Sequence, residues 1–169
     1  MAAKDPHSES SPRVLSSLRL APGDTRPMSM IYWRVMGKDF DGWNSKKKHL
    51  NDHAVAPFYH KREVWWCSLG VNVGFEQDGT GTNYDRPVLV IQGFNPHVFF
   101  GVALTGKKKQ GRYYVPIGQV EGKEASAILS QVRLIDTKRL VRKAGTLDRD
   151  IFERVCDELK QILFGSGRE

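Results

Sequence analysis

Arg86 stands at the head of an apolar, β-branched run, Arg86-Pro87-Val88-Leu89-Val90-Ile91-Gln92, and Thr105 stands at the tail of the next, Val98–Thr105. If the two runs pair as neighbouring strands, a guanidinium and a hydroxyl meet at their ends. Such a pair would orient a phosphodiester and stabilise it through a pentacovalent state. The arginine offers fixed charge and a fork of donors, and the threonine adds one short-range hydrogen bond. Glu76 and Gln77 sit in the segment before Arg86, where a carboxylate or an amide would reach the same place. Residue types alone leave Arg86 open between this chemistry and a structural role at a strand start.

Directly after Thr105 comes Gly106-Lys107-Lys108-Lys109-Gln110-Gly111-Arg112, four positive charges and no negative one, followed by Tyr113-Tyr114. A flexible basic loop beside aromatic rings suits a single-stranded nucleic acid, whose phosphates meet cations and whose bases stack. An ordinary solvated hairpin tip has the same composition, so both readings stand. Arg133, Lys138, Arg139, Arg142 and Lys143 add a second basic segment against Asp136. The chain of 169 residues carries 26 Lys plus Arg against 19 Asp plus Glu, a formal charge of +7, which favours an anionic partner without naming it.

Other chemistries find little support. His49 and His53 are four apart, but no third ligand sits at a supporting interval, and they read as solvated polar residues. Neither phosphate-binding glycine motif occurs. The two cysteines, Cys67 and Cys156, form no paired-thiol motif, which argues against a disulfide framework or a zinc site built on them. No apolar stretch approaches the ~20 residues of a membrane span, so no membrane partner is expected and a reducing cytoplasm is the default compartment.

The elements that must position these residues follow from periodicity and turn chemistry. Residues 1–27, rich in Ser, Pro and Ala, read as a disordered leader, and 28–61 as an N-terminal extension with a short helix at about 39–52. That helix would place Phe40, Trp43, Lys47 and Leu50 near one face. From 62 to 165 the pattern is mainly β. Strands are expected at 63–69, 86–92, 98–105, 112–117, 126–135 and 140–143, with a loop of glycines (70, 74, 79 and 81) before Arg86. Ile151, Phe152, Val155, Leu159, Ile162 and Leu163 recur at spacings of three and four behind Asp148, a candidate cap, with Gly165 past the end. The expected fold is mainly β with α: a small, partly open β-barrel capped by a C-terminal amphipathic helix.

Several stretches in register carry a resemblance: Glu63-Val64-Trp65-Trp66, Asn72-Val73-Gly74-Phe75-Glu76-Gln77, Arg86-Pro87-Val88-Leu89-Val90-Ile91, Ala103-Leu104-Thr105, Ser130 to Asp136 and Lys138 to Leu147. Together they resemble the PemK/MazF family of toxin endoribonucleases, across roughly 62–164. The resemblance implies an SH3-like barrel, a homodimer, and cleavage of single-stranded RNA without metal or cofactor through a 2′,3′-cyclic phosphate. It also implies neutralisation by a cognate antitoxin. Carried over, it assigns catalysis to Arg86 and Thr105, with Glu76 as the candidate base. It assigns RNA contact to Gln77, Gln131 and Arg133, beside Lys107, Lys108, Lys109 and Arg112 of the basic loop.

The chain departs from some members of that family. Phe75 stands where certain relatives carry a histidine, and Ser130 and Ile128 where they carry an aspartate and an arginine. An acid–base scheme built on those residues does not transfer, whereas one built on Arg86 and Thr105 does. The rival reading is a non-catalytic barrel that binds RNA or a protein target such as a topoisomerase.

Overall fold

A helix begins where Asp39 can hold a free backbone amide: its Oδ1 accepts from Gly42 N at 2.9 Å, and its other oxygen accepts from the Tyr84 hydroxyl. Helix α1 (Phe40–His53) follows. The computed structural model describes residues 38–165, so the expected leader over 1–27, and the extension up to 37, lie outside the described residues. The helix matches the expected span but presents a different stripe. Trp43 is buried, Lys46 and Leu50 are half-buried, and Phe40 and Lys47 face solvent. Only Trp43 finds a deep seat, against Gly70 and Tyr84, and that contact sets the rotation of the helix.

Six strands form one antiparallel sheet: β1 (Glu63–Ser68), β2 (Asp85–Asn95), β3 (Val98–Thr105), β4 (Tyr114–Val120), β5 (Lys123–Asp136) and β6 (Leu140–Thr146). Their order is β4-β5-β3-β2-β1-β6. β5 is long enough to pair β3 along most of its length and β4 at its start. Most strand ends differ from those expected by one to three residues, β6 running on to Thr146, and two turns account for the other large changes. β4 runs on to Val120 and β5 starts at Lys123, because Glu121 (φ 49) and Gly122 (φ 75) make a two-residue turn of left-handed residues. That turn matches the strand twist, but Glu-Gly lacks the Asn-Gly or Asp-Gly signature that marks it in a sequence. At the other turn, β2 continues to Asn95, whose side chain accepts from the amides of His97 and Val98 and so turns the chain within two residues.

The middle of β2, Val88–Ile91, is apolar because both of its faces are covered. Leu89 and Ile91 join the core beneath helix α2 (Arg149–Phe164), with Val102, Leu104, Leu129, Val155 and Leu159. Val88 and Val90 join a second core with Trp65, Cys67, Phe99, Ile135 and Leu140. The helix is where its periodicity put it, but Asp148 occupies the cap position without a side-chain cap bond. Arg62 instead holds that corner, donating from Nε and Nη2 to Leu147 O at 2.9 and 2.6 Å. The edge strands β4 and β6 do not pair, so the barrel stays open. Side chains bridge the gap: Glu121, in the β4–β5 turn, pairs with Arg142 of β6 and accepts from Trp66 Nε1 of β1 at 3.1 Å.

Glu63 is buried at the start of β1 with a full set of donors. Its carboxylate accepts from Trp65 Nε1 (2.8 Å) and from His60 N (2.9 Å), and pairs with Lys143 of β6 (2.6 Å). Burial pushes its pKa up, but Lys143 and those hydrogen bonds outweigh it and hold the carboxyl at about 2 instead of its ordinary 4.5. Because the folded pKa is depressed, the stabilisation is complete above about 4.5 and is lost as pH falls through about 2. Glu63→Gln should therefore cost about 2 kcal/mol at pH 7, with Lys143 left half in water. Urea midpoints measured from pH 7 downward should show the variant and the parent converging, and a gap independent of pH would refute this account. Gly70 (φ +85) supplies a second test, since a Cβ there would come within 2.0 Å of Trp43 Cε2. Gly81 also has a left-handed φ (+65) but nothing near it. Gly70→Ala should lower the denaturation midpoint well beyond the ~1 kcal/mol expected for the conformational term alone in Gly81→Ala; equal losses would mean that Trp43 does not press on this site.

Candidate active site

The segment between β1 and β2 has no strand partner along most of its length, so its polar groups bind one another. At its ends Gly70 N donates to Tyr84 O (3.1 Å), and Thr80 and Asp85 exchange backbone hydrogen bonds. In the middle Asn72 N donates to Asp78 Oδ1 (2.6 Å) and Asn72 Nδ2 to Gln77 O (3.0 Å). Three long side chains then tie this loop to the rest of the fold. Gln131 of β5 accepts from Gln77 N (3.0 Å) and donates to Phe75 O (3.3 Å). Arg133 of β5 reaches Asn72 Oδ1 (3.4 Å). Lys38, just before α1, pairs with Asp78 (2.8 Å) and donates to the carbonyls of Asn72 and Gly74.

Arg86 is half-buried beneath this loop, with all three of its nitrogens engaged. Nε donates to Asp78 O and Nη1 to Leu104 O at 3.1 Å. With the Gln77 amide oriented to satisfy its neighbours, its oxygen accepts from Arg86 Nη2 at 3.0 Å. A guanidinium has five N–H groups, so about two remain, one on each terminal nitrogen, for an incoming anion. Burial lowers the Arg86 pKa and the Asp78 carboxylate partly offsets it. From so high a starting point the group stays cationic at neutral pH.

Thr105 ends β3 and is buried. The β2–β3 register, Val88 opposite Ala103, carried two residues further sets Arg86 opposite Thr105, and the bond from Arg86 to Leu104 O shows the strands still adjacent there. Arg86 and Thr105 therefore stand on neighbouring strands at one rim of the sheet. Thr105 Oγ1 accepts from Lys107 N (3.2 Å), which starts the basic loop. In that loop Lys109 and Arg112 lie over the rings of Tyr114 and Tyr113, at 5.4 and 4.8 Å, while Lys107 and Lys108 face solvent.

Not every candidate converges. Gln77 touches Arg86, and Gln131 and Arg133 act on the loop above it. Glu76 is exposed and turned onto its own loop, where Oε2 accepts from Val73 N at 3.2 Å. Asp78, Asn72 and Lys38 were absent from the sequence-derived set. Asn72 and Asp78 leave a signal, two Asx residues within one glycine-bearing loop, whereas Lys38 leaves none because its partners lie more than thirty positions away. Burial, aided by the Asp85 charge, pushes the Cys67 thiol up, so it is no nucleophile. Among the described residues no cluster of three His, Cys, Asp or Glu could hold a metal ion, and His49 and His53 simply stack, 4.8 Å apart. No described helix is long and apolar enough to cross a membrane.

Comparison with known proteins agrees with this architecture. Residues 60–163 match the family described as PemK-like, MazF-like toxin of type II toxin-antitoxin system. Among solved structures, MazF (Form-I) from Deinococcus radiodurans superposes with a TM-score of 0.52 at 19% identity, covering 64% of this chain and 97% of that one. The MazE-MazF structure (Form-II) from the same organism gives 0.50 at 16% identity, covering 65% and 99%. At such identities the likeness is one of fold: the same partly open barrel with a C-terminal helix. No curated protein sequence matches the chain. With its matched segment spanning the whole sheet and most of α2, the chain belongs to the PemK-like, MazF-like toxin family of type II toxin–antitoxin systems.

Proposed function

We propose that the chain is a toxin endoribonuclease that cleaves single-stranded RNA by transesterification without a metal ion. The observation that carries this reading is the meeting of Arg86 and Thr105 at one sheet rim, under a loop that fixes the guanidinium and beside the Lys107–Arg112 loop. In the reaction the ribose 2′-oxygen attacks the adjacent phosphorus and loses its proton. The bond to the 5′-oxygen breaks, that oxygen gains a proton, and a 2′,3′-cyclic phosphate remains. Charge builds on the non-bridging oxygens in between. Arg86, held from three sides, faces that charge without reorganising, and Thr105 adds a hydrogen bond. Glu76 is the carboxylate we assign to the 2′-hydroxyl proton; it is solvent-exposed and held through one oxygen only. Phe75, fully exposed, offers a ring for a base to stack on.

The same reading includes a cognate antitoxin and a second copy of the chain. The Deinococcus radiodurans relative was crystallised as MazE-MazF. Phe94 and Phe100 expose an edge-on aromatic pair on β2 and β3, with Leu134 of β5 across from Phe100, an apolar surface that a second copy would cover.

The test is cleavage of a mixed single-stranded RNA in excess EDTA. The parent should cut it and leave cyclic-phosphate ends. Arg86→Ala should slow single-turnover cleavage by roughly 10²–10³, the usual loss for a preorganised charge-stabilising donor, and Thr105→Ala by about tenfold, with RNA binding retained in both. No cleavage by the parent, or equal cleavage by all three, would leave the non-catalytic barrel as the better reading. Gln131→Ala should act indirectly: hydrogen exchange at the Gln77 amide should rise at least tenfold while the denaturation midpoint barely moves, since only one loop contact is lost. Unchanged protection would mean that Gln131 does not tether the loop.

A further inference from the structure

The second basic segment of the sequence does not act as one patch. Arg142 is paired with Glu121 and Lys143 with Glu63. Arg133, Lys138 and Arg139 form no ion pair with another described residue, and neither does Lys47 of α1. Lys47, Lys138 and Arg139 line one cleft of about 160 Å³ between α1 and the 3-10 turn Thr137–Arg139, together with Leu50, Asn51 and Asp136. Burial lowers the Arg139 pKa and the nearby Arg133 charge adds to this, while Asp136 opposes it. The acid in the cleft, Asp136, already accepts from Lys138 N at 2.8 Å.

Collecting cations around one acid is unfavourable unless an anion joins them. Two of these cations are also fixed in place. Arg139 Nη1 donates to Ser68 O (2.9 Å) and its guanidinium lies over the Trp43 ring (5.4 Å). Lys138 Nζ donates to Asn51 O (2.6 Å). The cleft has the volume of about five waters, enough for a phosphate group and too little for a whole nucleotide. It also adjoins the candidate active site. Ser68, which Arg139 holds, follows Cys67, the cross-strand partner of Arg86, and Arg133 grips Asn72 of the loop above Arg86.

We propose that this cleft binds a backbone phosphate of the RNA strand whose scissile phosphate lies at Arg86, so that α1 extends the RNA track. The proposal rests on the single-stranded RNA reading above, and it concerns a helix that precedes the family-matched segment. RNA is favoured over an acidic protein segment because the cleft is small and offers a guanidinium fork and two ammonium groups to one tetrahedral anion.

The probe is a short 2′-O-methyl single strand, which lacks the attacking hydroxyl, so binding is read without cleavage. Kd is measured against salt for the parent, Lys47→Ala, Lys138→Ala and Lys47→Arg, with Lys160→Ala, on the exposed face of α2, as the control. Each phosphate contact removed should lower the slope of log K against log salt by about 0.7. Lys47→Ala and Lys138→Ala should each do so, with affinity falling roughly three- to tenfold at physiological salt. Lys47→Arg should keep the parent slope, Lys160→Ala should leave it unchanged, and thermal midpoints should stay together. Unchanged slopes in both alanine variants, or no binding of the strand by the parent, would overturn the proposal. So would unchanged slopes joined to lost affinity for an acidic peptide, which would give the cleft to a protein partner. If the parent binds with the expected slopes yet cuts no RNA, the phosphate cleft stands and the endoribonuclease reading falls.

Discussion

Asp78 is bound through both ends of the residue. Its carboxylate takes the Asn72 amide and the Lys38 ammonium, and its own carbonyl takes Arg86 Nε. A loop without a strand partner has no ladder to satisfy its backbone, and each unsatisfied polar group near the core would cost about 1–3 kcal/mol. One aspartate meets much of that demand while passing the position of the loop on to a guanidinium. Arg86 is therefore placed by carbonyls, which offer direction without neutralising its charge. A carboxylate in the same role would have given a tighter grip and a weaker site for a phosphate.

Helix α1 takes part in that placement from outside the family-matched segment. Trp43 presses on Gly70 and Tyr84, the two ends of the loop, while Lys46 pairs with Asp85 and Lys38 with Asp78. The loop is thus held on one side by Gln131 and Arg133 of the sheet and on the other by the helix. Two anchors on opposite sides restrict a loop more than two on one side, because the remaining motions must break both. Lys47, which pairs with no carboxylate among the described residues, lies further along, in the cleft with Arg139, so one helix both steadies the loop and adds charge beside it.

What the sequence made legible follows from how far each signal reaches. Placing Arg86 and Thr105 on neighbouring strands needed only two apolar runs and the assumption that neighbours in sequence pair as neighbours in the sheet, which antiparallel connections favour. The α2 stripe needed only its period. The Glu121-Gly122 turn was hidden because glutamate seldom takes a left-handed φ, and here its side chain has Arg142 and Trp66 to hold it. The α1 stripe differs in part for a related reason: spacing sets Phe40 and Lys47 on the face of Trp43 and Leu50, but only Trp43 meets a glycine that admits a ring, and the identity of that glycine's partner is tertiary information. Gln131 and Arg133 were legible as polar residues on a strand. Their action on the loop, more than fifty positions away, was not.

The ionisation of the site bears on how the two roles divide. Burial lowers the Arg86 pKa and Asp78 opposes the shift, yet a guanidinium starts so high that neither effect brings proton release near neutrality. Arg86 is thus a constant charge, and any pH dependence of the chemistry must come from another group. Glu76, the base in the proposed reaction, is bound only within its own turn, through Val73 N, and its loop is fastened at Gln77, the very next residue, by Gln131. In the proposed reaction the stabilising charge, held from three sides on β2, and the proton acceptor, on the loop above it, would have different freedoms, with the second able to turn toward a ribose. That division suits a reaction in which the phosphate must be held still while the proton acceptor follows the 2′-oxygen.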